Sequence, residues 1–521
     1  MDDMLGFNDK RGLSSEALQH GINRLLGELV QSGCFLAELK LEYLPDSSAV
    51  DVEIVNGLVP VAGTVGITGN SFLSESFLLN LLTVRSDKPL SDSRIITDTR
   101  NLSLAYADNG YPHAKISVGD FSLSGNKLDF IYKIEEGPRV MVGKILFVGN
   151  VQTKPNTILR FSRLASGIPF NRKKVELGRE RLVKCGLFKA VSDPLLIAGQ
   201  NPGTEDLVIT VAENPYNNIF GVLGYNRDEV MQTGWITGSI DLALFNLGGR
   251  GYRAKINWQR LRRENSRLSA EIFIPWLFSL DMGITAAVSH RIEDSTYTQS
   301  TGRLLAEFPA GEHFRAGVGG EAVRVVPGST LALERSNRYS SIWSLEVDYR
   351  DGTFNPKGFL CRLEAEYGRK RYYEPSNQLT VSRIKIDASL VRGLSVNQSL
   401  FMAFHGRTVI SSEKPVPRSD QYAMGGAGSL RGYWEEQFLA DQLAWANLEY
   451  RYSPDRRLEL FPFCDLGYYY DPERIQRGYR PGYGAGLRMD TALGWISLVY
   501  GLGKGDGFGE GKVHISLNSD F

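Results

Sequence analysis

From about residue 215 to the C-terminus, apolar and polar side chains alternate with a period of two, the repeat of an extended strand whose two faces meet different surroundings. Tyr252, Ala254, Ile256 and Trp258 share one face, with Arg253, Lys255, Asn257 and Gln259 on the other. The split recurs in Trp343, Leu345, Val347 and Tyr349 against Ser344, Glu346, Asp348 and Arg350, and in Ala444, Ala446, Leu448 and Tyr450 against Trp445, Asn447, Glu449 and Arg451. Alternation alone fits a soluble sandwich as well as a membrane barrel. Length decides, because these runs extend for roughly 10 to 14 residues, enough for a tilted strand to cross a bilayer, against about 5 to 6 in soluble sheets. Sixteen such segments can be counted, an even number that closes an antiparallel barrel without a free edge.

The first 214 residues follow a different rhythm, with helical apolar spacing at Ile22, Leu25, Leu26 and Leu29, at Ile95, Leu102, Leu104 and Ala105, and at Val175, Leu177 and Leu182. Each of these segments leads into a similar stretch: Gly33 to Ala37, then Gly110 to Ala114, then Gly186 to Ala190. A second echo has a single offset, Gly57, Gly63, Gly69 and Asn70 returning as Gly137, Gly143, Gly149 and Asn150. Gly and Asn at the end of a strand suit a backbone turn with positive φ. One unit therefore reads strand, helix, helix, strand, strand. A duplicated α+β domain of any kind would show this periodicity, but the pattern resembles polypeptide-transport-associated (POTRA) domains. On that resemblance residues 60–139 and 140–214 are POTRA domains, residues 1–59 are a partial POTRA-like domain that keeps a helix and the last two strands, and residues 215–521 are the barrel. The chain is expected to begin inside a domain.

If the first barrel strand rises from the side of the repeats, connections after even strands must be short, as Asn246–Arg250 and Ser453–Arg456 are. The longest connection, about 411 to 441, then follows the eleventh strand on the far side. It contains Gly425, Gly426, Ala427, Gly428, Ser429, Leu430, Arg431, Gly432 and Tyr433. Here the chain resembles the BamA/TamA outer-membrane assembly factor superfamily of the surface-antigen type, whose sixth outer loop carries a [V/I/L]-R-G-[F/Y] tetrad. The resemblance implies α+β POTRA repeats followed by an all-β transmembrane barrel of 16 antiparallel strands. It also implies that Arg431 meets an acidic residue on strand thirteen within an F-x-D-x-G pattern. Phe463, Asp465 and Gly467 fit that pattern, and a guanidinium can grip a carboxylate through two parallel hydrogen bonds. Asp348 to Asp351 with Pro356 to Gly358 resembles the superfamily's turn into strand nine, and Val513 to Phe521 resembles a terminal β-signal.

Composition narrows the picture further. The 59 basic and 59 acidic residues balance, so no basic face argues for nucleic acid. Four cysteines, more than a hundred residues apart along the chain, form neither a redox pair nor a zinc knuckle, and the six histidines have no metal spacing. No GxSxG elbow or GxGxxG opening occurs, so neither an enzyme nor a cofactor is expected. The resemblance implies an outer-membrane barrel with its POTRA domains in the periplasm, receiving unfolded outer-membrane or secreted polypeptides and inserting them into the bilayer, with periplasmic or inner-membrane accessory proteins as possible partners. Strand one, Ile219 to Asn226, is short and carries Gly221 and Gly224, so its pairing with the last strand is expected to be weak, leaving a lateral seam marked by Val222, Ile515 and Phe521. Two alternatives stay open: a two-partner secretion exporter, and the barrel portion of a patatin-type fusion with its catalytic domain upstream of Met1. A passive porin would lack the repeats.

Overall fold

The computed structural model describes residues 15–31, 34, 37–44, 49–55, 59–214, 217–227, 234–262, 265–293, 296–329, 334–351, 357–373, 376–455, 457–471, 476–491 and 494–518. The chain divides into two compact units. One comprises residues 1–148, 162–180 and 192–210, and the other residues 149–161, 181–191 and 211–521.

In the first unit, the helix Ser15–Gln31 is followed by an antiparallel pair, Glu38–Leu44 with Ala49–Val55. Residues 61–135 then run strand, helix, helix, strand, strand: Val61–Thr68, Glu75–Leu81, Asp92–Ala107, Lys115–Ser124 and Lys127–Glu135. The last strand lies in the middle of its sheet, parallel to the first and antiparallel to the fourth element, which leaves Lys115–Ser124 as an edge. Helix positions Leu78, Leu102 and Tyr106 close onto Phe130 and Tyr132 of the central strand, all of them buried. Asp98 lies in this core with no exposed surface. Its carboxylate accepts the Thr83 hydroxyl and amide, the Val84 amide at 3.0 Å and the Tyr132 hydroxyl at 3.3 Å. Four donors offset the cost of taking one charge out of water.

The glycine echo has a physical cause. At Gly69 and Gly149 φ is +80° and +89°, and a Cβ would lie 2.1 Å from the Ile134 carbonyl oxygen and 2.2 Å from that of Val211. Asn70 and Asn150 each donate their side-chain amide to a carbonyl three residues on, both at 3.0 Å. Two carboxylates absent from the sequence reading complete the turns. Glu136 accepts the amides of Ser71 and Phe72, and Glu213 those of Gln152 and Thr153. The second repeat departs from the expected pattern in one respect. Its fourth element is split into Phe188–Val191 and Leu195–Ala198, both antiparallel to Thr204–Glu213, and Pro194, which has no N–H to give, sits in the gap.

In the second unit, sixteen antiparallel strands form one sheet in strict chain order, from barrel strand 1 (Asn218–Arg227) to barrel strand 16 (Lys512–Asn518). No helix among the described residues is long and apolar enough to cross a membrane. Strand 1 extends one residue further at each end than the expected Ile219 to Asn226. It has ten residues and pairs along all of them with strand 2 (Gly234–Leu247), while strand 16 has seven described residues. Among the described residues no register joins strand 1 to strand 16. Connections after the even strands, which mark the near end of the sheet, include the tight turn 248–251. Those at the far end are also brief apart from residues 412–441, between strand 11 (Gln398–Ser411) and strand 12 (Gln442–Tyr452). Residues 149–161 sit on the near turns. The Gly249 carbonyl accepts the Lys154 amide and the Thr157 hydroxyl, and Arg160 donates to the Phe278 and Leu280 carbonyls while lying over the Trp276 ring.

Candidate functional site

The connection 412–441 folds against the ionic face of the sheet. It touches strand 4 (Asn265–Ile274) at one extreme and strand 15 (Gly494–Leu502) at the other, which curves that face around it into a lumen. Within it Tyr422–Met424 pairs with Phe438–Ala440 as a short hairpin, and the tetrad lies between. Arg431 makes three bonds to Asp465 of strand 13 (Leu458–Asp471): backbone N to Oδ2 at 3.1 Å, Nε to Oδ2 at 2.8 Å and a terminal nitrogen to Oδ1 at 2.6 Å. The remaining terminal nitrogen donates to Glu449 of strand 12 at 2.5 Å, and the guanidinium lies 3.8 Å from the centre of the Phe463 ring. Asp465 is wholly buried and Arg431 is 6% exposed.

The rest of the tetrad is fitted as tightly. Leu430 is buried against Met424 and Tyr433. At Gly467 a Cβ would lie 2.7 Å from Leu430, so strand 13 must be bare there. Gly432 has φ of +88° and abuts the backbone of Leu502 and Gly503. Tyr433 donates its hydroxyl to the Pro481 carbonyl at 2.8 Å and accepts the Lys504 amide at 2.9 Å. Upstream, the glycine pair turns with φ of +126° at Gly425 and +93° at Gly426, and the Ser429 hydroxyl closes the turn onto Gly425. The loop anchor and its lumen partners therefore meet at one place. The seam residues do not join them. Gly221 and Gly224 lie on strand 1 and Ile515 on strand 16, where it points outward and is exposed; Val222's side chain and all of Phe521 fall outside the described residues.

Several functional residues escaped the sequence reading. Glu449 is shared by Arg431, Arg451 and Arg488, and Glu459 pairs with Arg488 at 2.6 Å, so the clasp is a web of three arginines and three carboxylates. Two further anchors reverse the polarity, with the acid on the loop. Asp420 grips Arg338 and Lys370, each at 2.7 Å, and Glu436 grips Arg267 at 2.6 Å and Arg291 at 2.7 Å. Their signal was the placement of Glu449 and Arg451 on the polar side of a dyad, which marks the lumen without naming partners. Among the described residues no group of His, Cys, Asp and Glu could hold a metal ion. Buried ion pairs of this kind hold a loop in one place and carry out no chemistry of their own.

The Omp85 superfamily domain model matches residues 246–521, and the surface antigen variable number repeat model for POTRA matches residues 60–137 and 140–214. The chain is 25% identical over 551 aligned residues to the outer membrane protein assembly factor BamA of Nitratidesulfovibrio vulgaris, covering 99% of this chain and 67% of that protein. It is 26% identical to the BamA of Neisseria meningitidis over 71% of this chain, spanning half the length of that relative. In fold it resembles BamA from Haemophilus ducreyi lacking POTRA domains 1–3 (TM-score 0.52, 15% identity, 87% of this chain and 98% of that one). CdiB from Escherichia coli is similar to the same degree (TM-score 0.51, 14% identity, 97% and 99%). The barrel lies in the outer membrane with the POTRA domains in the periplasm, and the protein is not an enzyme. With two POTRA repeats ahead of an outer-membrane barrel that clasps its own sixth loop, the chain belongs to the Omp85 superfamily, of the BamA/TamA type.

Proposed function

We propose that the protein receives unfolded polypeptides on its POTRA domains and inserts them into the outer membrane through a lateral opening between strands 1 and 16. The observation that carries this reading is the anchored loop of a barrel that follows tandem repeats in the chain, in a sequence similar across nearly its whole length to an assembly factor. The edge strand Lys115–Ser124 supports it, because an exposed edge can pair with an extended client through main-chain hydrogen bonds whatever the client's sequence. Among the described residues strand 16 pairs with strand 15 and no register joins it to strand 1, so its other edge is where an incoming strand could be templated. The client's own burial in lipid then drives the step, with no nucleotide needed. Periplasmic or inner-membrane accessory proteins would deliver clients. A second reading, export of an unfolded partner through the lumen as in two-partner secretion, fits the likeness of fold to CdiB.

The test is to introduce Val222→Cys with Ile515→Cys and oxidise the pair. Insertion should stop when the seam is locked and return on reduction. Insertion that continues in the locked protein contradicts lateral opening.

A further inference from the structure

The outward face of the barrel is apolar through its middle rows and changes character near the far end. On strands 7 (Phe314–Pro327), 8 (Ser336–Asp348) and 9 (Gly358–Tyr372), cross-strand partners run Arg324, Asn337, Arg371, and one dyad nearer the middle Ala322, Tyr339, Arg369. Alternation fixes their direction. Val323, Arg338 and Lys370, which lie between them, and Val325 beyond are buried on the lumen side, whereas Tyr339 and Tyr367 on the outer face are 64% and 50% exposed. Arg324, Arg369 and Arg371 are all exposed, and none makes an ion pair among the described residues. Arg335, also exposed, lies over the ring of Tyr373, whose hydroxyl accepts from Asn337 at 2.6 Å.

Arginine on a lipid-facing wall is costly at mid-depth and tolerable only near the interface, which is where these stand. Three guanidiniums within about two strand spacings, roughly 10 Å, repel one another unless an anion sits among them. Among the described residues, the strand positions paired beside them do not supply one. The laterally paired outward positions on strands 5 (Gly283–Glu293), 6 (Tyr297–Pro309) and 10 (Gln378–Gly393) are His290, Ser300 and Gln378. Beside Arg324 lies a groove of about 520 Å³, lined by His290, Ser300, Asn337 and Tyr339. It opens onto the wall directly above the apolar rows that contain Leu304, Val318 and Trp343, all exposed. A freely dissolved anion would make no use of those rows, whereas a lipid fills both.

We propose that the arginines of strands 7 and 9 form a binding site for the phosphate groups of an outer-leaflet phosphoglycolipid, its acyl chains lying along the apolar rows below. Tyr339, Tyr367 and Tyr373 stand at the depth where amphipathic rings meet headgroups. One such lipid would fasten the wall that faces away from strands 1 and 16.

The full chain, purified in detergent, is offered equal amounts of a bis-phosphorylated acylated diglucosamine and its dephosphorylated form, and the bound lipid is counted by native mass spectrometry. A membrane-surface arginine contributes about fivefold to holding an anionic headgroup, so three predict a preference on the order of a hundredfold for the phosphorylated lipid. In the R324Q/R369Q/R371Q variant the preference should fall to within about twofold. The Arg362→Gln variant, altered on the lumen side where Arg362 pairs with Glu346, should keep it. Equal binding of the two lipids by the unaltered protein overturns the proposal whatever the variants do. So does a preference that survives in the triple variant or that vanishes equally in Arg362→Gln. Loss of the lipid preference on adding millimolar inorganic phosphate would assign the site to the free ion and likewise overturn it.

Discussion

Replacing Asp465 with Asn is the most informative single change at the clasp. Three of the four bonds made by Arg431 end on that carboxylate, and both groups are buried. Breaking a buried pair by removing one partner costs about 3 to 5 kcal/mol, because the remaining charge is left without compensation. Glu449 still holds one guanidinium nitrogen, so the lower end applies, about 3 kcal/mol. At tenfold per 1.4 kcal/mol the undocked fraction of the loop rises roughly 150-fold. Ala440, fully buried behind the tetrad, can report this as a cysteine in a background where Cys34, Cys185, Cys361 and Cys464 are serine. Its labelling rate by a thiol reagent follows the open fraction when closing outpaces labelling. Asp465→Asn should speed labelling about a hundredfold while the barrel stays folded, as judged by its heat-modifiable gel mobility. An increase below about fivefold would mean that the pair behaves as a surface ion pair, and the reasoning would be refuted.

Other changes follow from the same geometry. Gly467→Val drives a side chain into Leu430, an overpacking worth about 1 to 3 kcal/mol, and should speed the same labelling by at least fivefold. Glu436→Gln removes the carboxylate shared by Arg267 and Arg291, but Glu436 is partly exposed, so labelling should rise less than in Asp465→Asn. In the repeats, burial pushes the Glu136 and Glu213 carboxyls up, but the hydrogen bonds they accept outweigh it and hold both below the ordinary glutamate range. Those bonds come from the Phe72 and Ser71 amides and the Tyr106 hydroxyl at Glu136, and from the Thr153 hydroxyl and the neighbouring amides at Glu213. A depressed carboxyl stabilises the fold above its unfolded pKa and loses that contribution as pH falls through the folded value. Amide exchange at Ser71, Phe72, Gln152 and Thr153 should therefore lose protection below about pH 4.5, and the double variant E136Q/E213Q should lack that step. Protection that is independent of pH in the native protein would contradict this.

How much was legible in the sequence depended on whether a feature was local. The glycine and asparagine echo could be read because each residue meets a requirement of its own backbone, positive φ at Gly69 or a reach of three residues at Asn70. The carboxylates that complete those turns, Glu136 and Glu213, lie 60 residues or more from the amides they accept, and no local pattern announces them. The dyads told inside from outside, so Arg431 and Asp465 could be matched once a resemblance named the pair. Asp420 and Glu436 could not be matched, because loop residues carry no parity and their partners sit on strands 4, 5, 8 and 9. The ends of strand 1 were placed one residue short on each side, because its glycines dilute the alternation while the backbone pairs over ten residues. The break at Pro194 was visible as a residue and invisible as a consequence until the neighbouring strand was known.

The central claim is that this barrel places polypeptides into the bilayer. Liposomes carrying the full chain can be given two unfolded clients side by side, an outer-membrane barrel and a secreted protein, and protease and carbonate extraction then report where each ends. The account predicts that the barrel client becomes embedded in the membrane and the secreted client stays outside. Accumulation of the secreted client inside the liposomes, with no embedding of the barrel, would contradict it.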